Sequence, residues 1–415
     1  MNVEIKSNDD GRKVLRVTKD IEAGETIYKE YPVVAVLDAD LESSGKYCSH
    51  CFRALDFSTS STAFQLPENQ NPLGSTFCSE HCLNTNKSQS TSLLFTQEPP
   101  LPPELAAPNS PALDVEGRKA AQDKFVEYVK KEKRAGPLLV ARFIARQVAL
   151  ETAKLAGKMS DVTAAGGSAS ASAKAEDAQG KKKEDFTDAE EGDYLLADHM
   201  ERLRYLGVKP NEEELPLISA VLEKTLPGLE QFVTEERHAT LLGKMAYNAI
   251  GVGYREDKPE STARPEDIEK TRTPTGTQHQ LGSAFYTLSS YANHSCTPSA
   301  KLTFPSNTTE LHLISTRALK KGDEITVAFV DVNQHDNESG AEARRRRRIE
   351  LARGWRFACG CEKCEEEGRE LSKEEKEGEK EKEEVVGDES KVEESARRFE
   401  EREKEIREEK ANDVE

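Results

Sequence analysis

No stretch of the sequence stays apolar for the length that a membrane crossing needs, and Met1 to Asp10 lack the positive-then-apolar pattern of a secretory leader. A soluble protein of the nucleus and/or cytoplasm, with no membrane partner, is expected. Large apolar groups are also scarce. Hydrophobic residues make up 35% of the 415 and charged residues 33%, so part of the chain should lie outside any core. Basic charge is in deficit, with a formal net charge of −18. Residues 365–415 hold 23 acidic against 12 basic residues, which places −11 there and −7 in the rest. That balance argues against direct nucleic-acid binding, which needs a basic footprint, and suits a lysine-rich protein partner. Without an oxidising compartment, the eight cysteines are not expected to pair as disulfides, and their clustering points to metal. A monomer is expected.

Residues 13–37 carry two short β-branched runs around Glu22-Ala23-Gly24-Glu25, which read as two strands joined by a turn. Past the prolines between Pro99 and Pro111, apolar residues recur at helical spacing through Phe125, Val129, Leu139, Phe143, Val148 and Leu155. Helical spacing returns from Tyr194 to Leu242. Between these stretches, residues 160–192 combine Gly, Ser, Ala and charge with almost nothing to bury, the composition of a disordered loop. Strand-like runs dominate from Met245 to Asp331. The last segment has opposite charges four apart, such as Glu393/Arg397 and Glu400/Lys404, and reads as a charged helix or a disordered tail.

The cysteines supply the first chemistry. Cys359, Cys361 and Cys364 are one thiolate short of a closed tetrahedral zinc shell. Outside the N-terminal group the only other cysteine is Cys296, so ligand arithmetic nominates a staple between two distant segments; the alternative for Cys296 is a small buried hydrophobe. Cys48-x-x-Cys51 and Cys78-x-x-x-Cys82 make a second four-thiol set, with His50 and His81 as bystanders. Two structural zinc ions are expected.

Tyr286 and Tyr291 stand ahead of Asn293-His294-Ser295-Cys296-x-Pro298. Leu319-x-x-Gly322-Asp323-Glu324-Ile325-Thr326 follows, and then Trp355-x-Phe357-x-Cys359-x-Cys361-x-x-Cys364. In this order the segments resemble the SET and post-SET motifs of lysine methyltransferases, closest to the SET-and-MYND branch and its fungal histone-modifying relatives. Asp20-Ile21-x-x-Gly24-Glu25-x-Ile27 is similar to the opening of a SET domain. Together they cover about a third of the chain.

The resemblance implies an α+β fold, a SET β-fold of short strands in small sheets. Residues 1–42 would form its N-terminal part, 43–88 a reduced MYND-like zinc knuckle, and 89–242 a helical insertion. Residues 243–336 would be the SET core, 337–367 a post-SET zinc segment, and 368–415 the tail. It also implies transfer of a methyl group from S-adenosyl-L-methionine to a lysine of a protein substrate such as a histone tail. Lys13, Asn248, Asn293, His294 and Phe357 would contact that cofactor, while Ile250 and Trp355, with Tyr286, would line the lysine channel.

The pattern departs from the family in two places. Aligned on Leu15, the opening places Arg12 and Val14 where glycines normally let the backbone approach the cofactor. The strand after Gly322 runs into Phe329 where the family has a catalytic tyrosine, so the hydroxyl would have to come from Tyr286 or Tyr291, or be absent. Absence would leave a catalytically weak or inactive SET scaffold that binds cofactor or peptide. Finally, Arg344 to Arg348 could read as an import or nucleic-acid patch, but Ile349, Leu351 and Trp355 favour a helix with one buried side.

Overall fold

A computed structural model describes residues 2–8, 11–55, 63–101, 114–164, 196–226, 228–253, 272, 280–336 and 338–369. Most of the loop expected at 160–192 and the tail beyond 369 fall outside them. The described strands are Val3–Ser7 (β1), Lys13–Val17 (β2), Thr26–Glu30 (β3), Val34–Leu37 (β4), Ile250–Val252 (β5), Gly282–Phe285 (β6), Asn293–His294 (β7), Ala300–Thr303 (β8), Leu311–Ser315 (β9) and Thr326–Val327 (β10). They form small sheets: β1 with β2, β3-β9-β8, β4-β6-β5, and the parallel pair β7 with β10.

Alternation sets which face is buried. In β9, Leu311, Leu313 and Ser315 point into the core while His312 and Ile314 are half-buried. The turn at 22–25 does not make a hairpin. Gly24, at a positive φ of 83°, donates its N–H to Ser315 O, and Ile21 pairs with Leu319, so β2 and β3 enter different sheets.

Helices pack against the β4-β6-β5 sheet. Val115–Glu132 stops at Lys133, whose left-handed backbone lets its N–H cap Val129 O, and Ala135–Ala164 follows. The second helix runs through residue 164, into the segment expected to be a loop, because extending an established helix costs little. Its buried run Leu138–Ala145 includes Phe143, which meets Phe285 of β6 edge to face at 6.0 Å. One core therefore spans the insertion and the sheets. A small separate core gathers Cys48, Phe77 and Cys82.

Helix Glu235–Asn248 positions the site. Thr234 caps its start by accepting from Arg237 N. Leu241, Leu242 and Met245 bury its inner side, so residues 245–248, expected in a strand, form its last turn. At Gly243 a Cβ would lie 2.0 Å from Leu206 O, and Leu206 N donates to Gly243 O. Backbone thus rests directly on backbone where the insertion meets this helix.

Glu30 closes β3 and is buried. It accepts from Leu288 N at 2.7 Å, Ser289 N at 2.9 Å and Ser289 Oγ at 2.6 Å, fastening the turn just ahead of Asn293. Burial outweighs these hydrogen bonds and pushes its carboxyl from the usual 4.5 up to about 7. The folded protein therefore holds this proton more tightly than the unfolded chain. The resulting stability is complete below about pH 4.5 and is lost as pH rises through about 7. In urea unfolding, the stability difference between wild type and Glu30→Gln should shrink by about 2 kcal/mol from pH 5 to pH 8. A difference that does not vary with pH would refute this account.

Candidate functional site

Asn293 and His294 owe their placement to the parallel pairing of β7 with β10, continued by Ser295 N donating to Val327 O. Asn293 Nδ2 donates to Glu324 Oε1 at 2.7 Å. His294 Nδ1 accepts from Phe329 N at 3.1 Å, which leaves the proton of the neutral ring on Nε2, 3.4 Å from Cys296 Sγ. Burial pushes the pKa of this imidazole down to about 4, so it is neutral at physiological pH.

Beside these residues opens a cleft of about 280 Å³. Arg12 and Lys13 form one wall, Arg202 to Arg204 of the insertion another, and Tyr247, Asn248, Tyr291 and Asn293 the floor. The structure thus gathers Lys13, Asn248, Tyr291 and Asn293 from three separate parts of the chain. Gly11 and Arg12 lie at the cleft while Val14 is wholly buried in the core, so of the two side chains at the family's glycine positions only Arg12 reaches the cleft. An aromatic cluster adjoins it. The Phe329 ring lies 5.5 Å from both His294 and Trp355 and 6.3 Å from Phe357, and His294 lies 6.1 Å from Phe357.

Not every candidate faces this space. Tyr286 is fully buried, and its hydroxyl donates to Thr309 O at 2.7 Å; burial, and then the charge of Glu30, raise its pKa well above normal. Ile250, in β5, is likewise in the core and does not line the cleft. Tyr291 lines the cleft, and its hydroxyl is paired with His199 Nδ1 at 2.9 Å.

Arg272 had no signal in the sequence. It is buried, bonds Tyr247 O, Ser290 O, Ala292 O and Asn248 Oδ1, and sets its guanidinium 4.2 Å from the centre of the Phe329 ring. Burial lowers its pKa to about 10, still fully charged at pH 7. Asn248 also donates to Arg204 O and Lys244 O, so its amide is held from three directions. His199 and Glu324, which hold Tyr291 and Asn293, were also missed, because a sequence of this kind does not show which helix or strand end will meet the motif.

The cysteines assemble as the ligand arithmetic requires. Cys48, Cys51, Cys78 and Cys82 form one group and Cys296, Cys359, Cys361 and Cys364 the other, with all four sulfurs of each group within 4.8 Å of one another. Hydrogen bonds from Cys296, Cys359 and Cys364 drive the Cys361 thiol far below its ordinary pKa. Four converging thiols with a ready thiolate fit a tetrahedral zinc ion, and neither His50 nor His81 belongs to a group.

The arginine run lies on helix Gly340–Trp355, which opens with a reciprocal Ser339–Glu342 capping box. Arg344 and Arg347 are buried, and Arg346 pairs with Glu338 at 2.8 Å, so most of the run is turned inward.

The SET domain family profile matches residues 12–330. Protein-lysine N-trimethyltransferase SMYD5 of Homo sapiens is 35% identical over 83 residues, covering 20% of this chain and 19% of that protein. A SET and MYND domain-containing protein of Dictyostelium discoideum is 34% identical over 85 residues, 20% of this chain and 22% of its own. Histone-lysine N-methyltransferase SET5 of Saccharomyces cerevisiae is 33% identical over 103 residues, 24% and 18% of the respective chains. Each match spans about a fifth of the relative.

Proposed function

Because the chain belongs to the SET-domain family, we propose that it is a protein-lysine N-methyltransferase using S-adenosylmethionine, with a histone or another basic protein as substrate. One observation carries the reading: Lys13, Asn248 and Asn293 share a cleft that abuts the cluster of His294, Phe329, Trp355 and Phe357. When bound, the cofactor supplies a methyl group activated by its sulfonium. Asn293, His294 and the Lys13 backbone would hold it, Asn248 would contact it, and the Phe357 ring offers an adenine a stacking surface. Arg12, Arg202 and Arg204 give a carboxylate cationic company at the same cleft.

In-line transfer needs a neutral amine, alignment and exclusion of water rather than an acid or a metal. Phe329 and Trp355, both buried, supply an apolar wall that disfavours a lysine ammonium by desolvation and so lowers its pKa toward neutrality. Tyr291 is the better-placed candidate for a hydroxyl, since it lines the cleft whereas Tyr286 lies in the core. Each cysteine group would hold one structural zinc, the second tying the segment that bears Phe357 to the strand that bears His294. The formal charge of −18 favours cationic protein substrates, and neither nucleic acid nor membrane is a partner in this reading. A monomer working in the nucleus and/or cytoplasm fits it.

A second reading, a SET scaffold that binds cofactor or peptide without turnover, is favoured by Phe329 and by Arg272 stacked on its ring. Calorimetry with S-adenosylmethionine and radiolabel transfer to a panel of histones and cell lysate decide between them. Micromolar binding with transfer supports the enzyme, binding without transfer supports the scaffold, and no binding removes both.

A further inference from the structure

Three arginines of the five-residue run, Arg344, Arg347 and Arg348, converge on the cysteine segment that follows it. Arg344 Nε donates to Cys364 O at 2.8 Å, and Arg348 Nη1 donates to Cys359 O at 3.2 Å. Arg347 between them is wholly buried. Its Nη2 bonds Glu367, while Nε and Nη1 are buried with no hydrogen-bond partner. The groups that act on its charge are Cys296, Glu367 and Cys364. A guanidinium so placed, with two nitrogens unpartnered, needs a nearby anion. Zinc with four thiolates is doubly negative, and three of the four cysteines here are buried.

We propose that Arg344, Arg347 and Arg348 clamp the Cys296–Cys359–Cys361–Cys364 centre, and that Arg347 supplies the charge that keeps a buried zinc tetrathiolate from losing its metal. This rests on the zinc reading above. Arg344 and Arg348 fix the backbone of two ligands, and Arg347 acts through the sulfurs as a positioning residue.

The test uses full-length, zinc-loaded protein and needs no activity. Elemental analysis counts the ions, a chromophoric chelator times their release, and Cys48→Ser identifies which phase belongs to the post-SET centre. Arg347→Met should release that ion at least tenfold faster, leaving the knuckle phase alone. Arg347→Lys should fall between, and Arg345→Met, altered at an exposed position of the same helix, should match wild type. Wild type holding fewer than two ions removes the metal reading itself. Two ions in wild type with unchanged release from Arg347→Met overturns the clamp, as does equal acceleration of both phases. If Arg347→Met does not fold, Arg347→Lys releasing at the wild-type rate overturns it.

Discussion

Replacing Cys296 with serine is expected to cut the zinc content from two ions per chain to one and to abolish methyl transfer. Cys296 sits 3.5 Å from Cys364 and 3.9 Å from Cys359, closing the chain on itself across 63 and 68 residues. A serine hydroxyl stays protonated and is a poor zinc ligand, so three thiolates would remain without a closed shell. The loss reaches the site because Cys296 is two residues from His294, whose Nε2 contacts its sulfur, and because Phe357 lies two residues before Cys359. With the tie gone, the post-SET segment should detach and cofactor affinity should fall by more than tenfold. A metal site of this type contributes on the order of 10 kcal/mol to the ordered state of its own segment. Most of the SET core lies elsewhere, so global melting should drop by roughly 5–10 °C rather than vanish. Cys48→Ser is the control: it should also lose one ion while leaving transfer within a fewfold of wild type. Two ions remaining in Cys296→Ser would show that the staple is misassigned.

Phe329→Tyr should raise turnover at least tenfold with little change in cofactor affinity. The ring is buried among His294, Trp355 and Arg272, so a side chain already points into the aromatic cluster and only the hydroxyl is new. In the family that hydroxyl orients the amine and the departing methyl, an interaction realised mainly near the transition state, so kcat should respond more than binding. Tenfold corresponds to about 1.4 kcal/mol of transition-state stabilisation. The same logic separates the two tyrosines. Tyr291→Phe should lower turnover, because Tyr291 lines the cleft. Tyr286→Phe should leave kinetics unchanged and cost about 1 kcal/mol of stability through the lost bond to Thr309 O. Silence from all three variants would leave the scaffold reading standing.

What could be read from the sequence was chemistry with a fixed stoichiometry. Three cysteines lacking a fourth, and only one cysteine left, lead to Cys296 without knowledge of the fold, and the four sulfurs do converge. The SET motifs likewise identify the architecture, since each carries several residues in a set order. Other features escaped for identifiable reasons. The strand Val3–Ser7 lies in a polar stretch and exists because β2 offers it an edge, so local composition carries no sign of it. Residues 245–248 look like strand because their apolar groups are close together, yet they finish a helix whose inner side they continue. Arg272 stands among Thr, Pro and Gly, and its role is created by five acceptors brought from elsewhere. The buried side of the arginine helix was legible from Ile349, Leu351 and Trp355, but not that Arg344 and Arg347 would lie on it, because charge alone does not reveal which arginines find acceptors inside.

The contact at Gly243 has a consequence for reading mutational data. With Leu206 O only 2.0 Å from where a Cβ would stand, each of the other nineteen residues would force helix Glu235–Asn248 and the 203–206 segment apart. That helix delivers Asn248, and the segment supplies a wall of the cleft. A saturation scan scored by activity alone would therefore rank position 243 beside Asn293, although glycine has no side chain with which to touch a ligand. Scored in parallel by protein abundance, the two positions should separate: Asn293 variants should accumulate as folded, silent protein, and Gly243 variants should be depleted from the cell.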